Sequence, residues 1–204
     1  MEENEIKIGN QTWTSKNLDV ETFRNGEVIP QVQDQEEWAN LTTAAWCYYE
    51  NESDNGRIYG KLYNWYAVND PRGLAPKGYH IPTDAEWTIL TDYLGGDYLG
   101  GGVIQGDPRA GTGDKMKSTS GWQNNDNGNN SSGFAGLPGG YRENKGNFYY
   151  GGAYGNWWSS SEGNADEYSV APYAWYRNLY SIEGYVFRSC GFKQNGFSVR
   201  CLKD

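Results

Sequence analysis

From Gly96 to the C-terminus no stretch keeps a helical repeat of apolar residues, yet aromatic residues keep recurring between glycines. Such a half can reach a stable core only through short extended pieces joined by turns. The candidate pieces are 134–137, 140–143, 147–150, 156–160, 173–180, 185–189 and 197–202. Only the last, FSVRCL, alternates cleanly. The chain has 204 residues with 28 Gly, 9 Trp and 17 Tyr. Its mean hydropathy of -0.85 would argue against a core, but each aromatic buries on the order of 150–250 Å². Disorder is excluded because disordered chains are poor in aromatics.

The first half reads differently. Residues 5–8 and 11–16 form an early hairpin around Gly9-Asn10. Residues 35–43 suggest a short helix, 44–50 a buried extended run, and 51–56 a loop. Tyr59, Leu62, Tyr63 and Tyr66 recur at helical spacing, which predicts a helix over 59–68. The clearest element starts at Thr83. Thr83 and Glu86 have the spacing of a capping box, and Trp87, Leu90 and Leu94 form an apolar stripe. Gly95-Gly96 stops it. Residues 123–132 are a solvated loop. Strands, two helices, then many short strands make an α+β chain and not an alternating β-α-β one. One domain over 1–204 is expected, with a terminal strand closing on an early one.

Charge and motifs narrow the chemistry. The net charge of -9 disfavours nucleic acid, and no apolar run reaches the ~20 residues of a membrane span. These residues hold no signal or anchor pattern. Cys47 and Cys201 lie in strand-like runs and are equally a pair or two buried thiols; Cys190 is the odd thiol. His80 is the one histidine, so a Ser-His-Asp, Cys-His or zinc site would have to use it. It reads instead as a structural residue with a polar tip. Glu36-Glu37 and Asp166-Glu167 read as solvated charge. Glu162, Asn164, Asp166 and Glu167 form the one acidic loop able to hold calcium, with simple solvation the first reading. The Gly-Gly pairs at 95, 101, 139 and 151 lack phosphate-loop spacing and read as turns.

The strings GNQTWTSKNLDV, AWCYYENESDNG, YGKLYNWYAVNDPRGLAPKGYHIPTDAEWTILTDYLGG, SGFAGLPGGYR, NWWSSSE, AWYRNL and GFSVRCLKD resemble the Fibrobacter succinogenes major paralogous domain, from about residue 5 to the end. HIPTDAEW also resembles the helix start of formylglycine-generating-enzyme-like proteins. The resemblance implies a C-type lectin-like fold: two helices on small twisted antiparallel sheets, with a long irregular C-terminal half. It further implies kinship with the variable, ligand-displaying proteins of diversity-generating retroelements, whose variable region would correspond to about 155–195. The enzyme branch of that kinship uses paired redox cysteines with copper. Cys190 and Cys201 do not match that pattern, so a non-enzymatic protein without cofactor is expected.

The stretch after residue 155 then becomes the expected binding surface. It mixes rigid aromatics with adaptable Ser, Gly and Asn, as paratopes do. Trp157, Trp158 and Trp175 are expected in the core. Asn178, Tyr180, Ser181, Glu183, Tyr185, Phe187, Ser189 and Gln194 are expected to face outward together. The partner is a protein or glycan, met outside the cell or at its surface; a virion or the cytoplasm are the other settings. A carbohydrate-binding surface lectin and an adhesive surface domain are the alternatives.

Overall fold

A computed structural model describes residues 5–99, 103–106, 111–163 and 172–204. In chain order the elements are β1 (Glu5–Ile8), β2 (Gln11–Thr14), α1 (Gln35–Ala39), β3 (Trp46–Cys47), α2 (Ser53–Tyr59), β4 (Leu62–Tyr63), α3 (Trp65–Val68), β5 (Tyr79–His80) and α4 (Asp84–Leu94). Then follow β6 (Gly96–Leu99), β7 (Val103–Gly106), α5 (Thr112–Met116), β8 (Gly139–Arg142), β9 (Phe148–Gly151), β10 (Tyr154–Glu162), β11 (Tyr173–Tyr180), β12 (Val186–Phe192) and β13 (Leu202–Lys203). The chain is α+β, with few helices of any length and a curled sheet.

The hairpin β1–β2 forms as the Gly9-Asn10 turn requires, and β13 joins it, pairing Leu202 with Trp13 and with His80 of β5. The first and last strands therefore share one four-stranded sheet, β1-β2-β13-β5. Helix α4 starts with both hydrogen bonds of the Thr83–Glu86 capping box and ends at Gly95, whose φ of 132° only glycine tolerates well. It buries Trp87, Leu90, Thr91 and Leu94.

The second half is more ordered than its composition suggests. Its pieces assemble into a seven-stranded sheet, β7-β6-β12-β11-β10-β8-β9. Adjacent residues on β10 divide the core between its two faces, as strand alternation dictates. Trp157 packs into the cluster around Trp13, Trp87 and Phe134. Trp158 packs into the cluster around Tyr63, Trp65 and Phe197. The sheet face carrying Trp157 also carries Leu179 and Val186 and rests on α4.

Several expectations need correction. The helix expected over 59–68 is broken: α2 ends at Tyr59, Gly60 takes φ 74°, and Leu62–Tyr63 pair with Trp46–Cys47 as strands before α3 begins. The loop expected at 51–56 instead supplies the start of α2. Residues 134–137 make a single bridge, Lys117 to Gly136, and not a strand. Of the expected strand 197–202, Tyr63–Phe197 and Trp157–Ser198 are isolated bridges and only Leu202 belongs to β13. Trp175 is half-buried, with the Arg188 guanidinium 4.0 Å above its ring. Cys47 and Cys201 are buried, unbonded thiols in different clusters.

Buried cations brace the loops that lack regular structure. The Arg142 guanidinium donates to the carbonyls of Gly146, Val32, Gln33 and Asp34 at 2.7–3.1 Å and lies 4.5 Å from the Trp38 ring. Lys117, 2% exposed, donates to the carbonyls of Ser181 (2.9 Å), Glu183 (3.2 Å) and Asp126 (3.4 Å) and pairs with Asp114 at 3.0 Å. One multi-donor side chain thus satisfies carbonyls that no ladder reaches.

Candidate functional site

The face of β10–β12 opposite α4 is covered at one end and open at the other. Trp158 and Ala174 are buried beneath Phe197. Further along, the same side of the strands presents Tyr154 and Asn156 from β10, Tyr176, Asn178 and Tyr180 from β11, and Phe187 and Ser189 from β12. Register brings them together: Tyr154 pairs with Tyr180, Asn156 with Asn178, Asn178 with Phe187, and Tyr176 with Ser189.

Two adjoining hollows open there. One, of about 380 Å³, is lined by Tyr154, Tyr176, Asn178, Tyr180, Glu183, Phe187 and Ser189. The other, of about 230 Å³, shares Tyr154, Tyr176 and Asn178 and is bounded by Tyr141, Asn156, Asn195 and the edge of Cys190. Together they form a groove of a size that suits small ligands or the tip of a larger one.

Tyrosine rings continue beyond it. Tyr150 stacks on Tyr154 at 4.5 Å, and Tyr154 meets Tyr180 edge-on at 4.5 Å. Tyr150 is 52% exposed and its backbone takes φ 59°. A bulky residue held in the left-handed region is strained, and such strain concentrates at ligand-contacting positions.

The electrostatics are those of a neutral, hydrogen-bonding surface. Burial pushes the Tyr141 phenol up to about 12. It also raises Tyr154, helped by neighbouring tyrosines, and raises Tyr176 despite a hydrogen bond with Ser189. All three hydroxyls stay protonated at neutral pH. Asn178 donates to Asn156 Oδ1 at 2.8 Å and to the Gly155 carbonyl at 3.3 Å, which fixes its amide. Among the described residues, Glu183 is the one carboxylate lining the groove.

Of the expected surface, Asn178, Tyr180, Glu183, Phe187 and Ser189 line the groove. Asn178 is only 9% exposed and serves as its floor. Tyr185 is half-buried beside Phe187, with ring centroids 6.5 Å apart. Ser181 does not face outward: it is 2% exposed, its carbonyl is held by Lys117 and its hydroxyl by Gln123. Gln194 also turns inward; its carbonyl accepts from Trp38, and its side-chain oxygen is buried with no hydrogen-bond partner among the described residues. Tyr176 was within reach of sequence reasoning, since it continues the alternation of 178 and 180. Tyr154 was not, because only the β10–β11 register places it there.

No group of three or more His, Cys, Asp or Glu able to hold a metal occurs among the described residues. Of the acidic loop, Glu162 is engaged by Lys193 at 2.7 Å; Asn164, Asp166 and Glu167 lie outside the described residues. His80 is held by Asp204 at 2.8 Å and Glu86 at 3.0 Å. It clamps the start of α4 to the end of the chain, which is a structural task.

The family model described as the Fibrobacter succinogenes major domain matches residues 6–203. The chain belongs to that family. No curated protein and no solved structure matches it. The family's span takes in α4 and every groove residue. Among the described residues no helix is long and apolar enough to cross a membrane.

Proposed function

We propose that this member of the Fibrobacter succinogenes major domain family is a non-enzymatic binding protein, with a C-type lectin-like scaffold that presents the tyrosine- and amide-lined groove to a protein or glycan at or outside the cell surface. The observation that carries the reading is the contrast between the two faces of β10–β12. One is locked to α4 by Trp157, Leu179 and Val186. The other leaves Tyr180, Glu183, Phe187 and Ser189 around an open hollow. A rigid back and an aromatic, hydrogen-bonding front is how paratopes gain contact area at low entropic cost.

The carbohydrate reading is favoured by one further feature. The fixed amides of Asn156 and Asn178 lie beside the Tyr150–Tyr154 stack, and sugars pair apolar ring faces with hydroxyl-to-amide hydrogen bonds. A glycan array, run with and without EDTA, tests it. Binding that persists in EDTA and is lost in Tyr180→Ala/Phe187→Ala supports a metal-independent lectin. Loss with EDTA assigns the sugar to a calcium site instead.

Diversification by a retroelement is the finer proposal. Sequencing many copies of the gene from one population tests it. Variation confined to groove codons within 155–195 is expected, and evenly scattered variation overturns it.

A further inference from the structure

Another hollow shares no lining residue with the tyrosine groove. It measures about 370 Å³ and is formed by the segment after β2, the end of α2, and the loop near Ala135. Its apolar wall is Ile58, Tyr59, Ala135 and Leu137. Ile58 is 58% exposed, so its side chain is accessible from solvent.

The charges around it run against the chain's overall balance. The protein carries a net charge of -9, yet Lys16, Arg57 and Arg200 all line this hollow, against the single carboxylate of Asp19. Asp19 is already engaged by the buried ammonium of Lys61 at 2.5 Å. Arg57 meets Asp54 at 2.8 Å, but both are exposed, so that pair is weak and easily exchanged.

Arg200 is the decisive residue. It is fully buried, and the acceptors the fold sets around it are neutral amide and carbonyl oxygens. Its guanidinium donates to Asn17 Oδ1 at 2.8 Å, to the Thr14 carbonyl at 2.8 Å, and only distantly, at 3.4 Å, to the Ala135 carbonyl. Burial pulls its pKa down. A buried cation satisfied by neutral acceptors leaves a positive potential in the nearest opening. Ala135, at the lip, is held at φ 51°, another non-glycine residue in the left-handed region.

We propose that this hollow is a second binding site, for a small carboxylate with an apolar body. The apolar part lies on Ile58, Tyr59 and Leu137, and the carboxylate lies between Lys16 and Arg57 in the field of Arg200. Direct contact with Arg200 is not required, since it is covered.

The test titrates the full chain with 3-phenylpropionate and with its neutral amide, 3-phenylpropionamide, followed by NMR and calorimetry. Saturable binding of the acid is expected, with shifts at Ile58, Tyr59 and Leu137, weakened by salt and much weaker for the amide. Lys16→Gln/Arg57→Gln should weaken it about fivefold or more, as two part-exposed charge contacts would, with an unchanged melt because both side chains are exposed. Tyr180→Ala, in the other groove, should leave it unaltered. Equal binding of the amide, no saturation, or indifference to the double variant would overturn the site. None of these outcomes bears on the tyrosine groove.

Discussion

Arg177 Nη1 donates to Asp84 Oδ1 across 2.7 Å, joining the middle of β11 to the first residue of α4. Arg177 is fully buried, and Arg188 of β12 closes on the other carboxylate oxygen at 2.6 Å. Asp84 also suits the positive end of the helix. One carboxylate therefore sets the angle between the helix and the sheet that carries the groove. Asp84→Asn should cost about 3–5 kcal/mol, because it leaves a buried cation without its counter-charge. Burial raises the Asp84 carboxyl, but Arg188 and Arg177 outweigh it and hold it below its ordinary value. The contribution is complete above the unfolded value near ~3.9 and is lost as pH falls through the lower folded one. Urea titrations at neutral and acid pH, on both proteins, check this.

Asn17 is a second point of dependence. Its Oδ1 accepts from Trp157 at 2.9 Å and Arg200 at 2.8 Å, while its Nδ2 donates to the Tyr59 carbonyl at 2.8 Å and Ser198 at 3.2 Å. Three segments distant in sequence meet on one amide. Asn17→Leu orphans buried donors and should cost about 2–4 kcal/mol, read as a shift in the urea midpoint.

His80 is expected to respond in the opposite pH direction. Burial lowers its pKa, but the hydrogen bonds of Asp204 and Glu86 more than offset this and leave it raised above 6.5. The folded chain binds the proton more tightly than the unfolded one. The stabilisation is full below pH ~6.5 and fades as pH rises through the higher folded value. With a single histidine in the chain, one imidazole NMR titration measures the shift directly, and Asp204→Asn should bring it back down.

The thiols should separate cleanly. Burial pushes Cys47 and Cys201 up to about 12, and only the thiolate reacts. A disulfide reagent should label native protein at Cys190 alone and reach all three cysteines in urea.

Local chemistry was the readable part. The Thr83–Glu86 cap, the Gly95 stop and the Gly9-Asn10 turn are decided by neighbours in sequence, and each formed where expected. Alternation along β11 and β12 was enough to put Asn178, Tyr180, Phe187 and Ser189 on one face. The misreadings came where distant residues decide. Tyr59, Leu62, Tyr63 and Tyr66 fit a helical repeat, but pairing with Trp46–Cys47 outweighs it once Gly60 turns the chain. Ser181 looked like a surface serine until Lys117 drew its carbonyl inward. No residue near Ser181 in sequence announces that lysine.

The Lys117 ammonium gathers three carbonyls and a carboxylate, a set that elsewhere would suit a dissolved ion. Here the charge is covalently attached, so the turn bearing Ser181 and Glu183 keeps its shape without borrowing anything from the medium. Chelation is therefore expected to leave the fold of that turn alone, whatever the groove itself takes up.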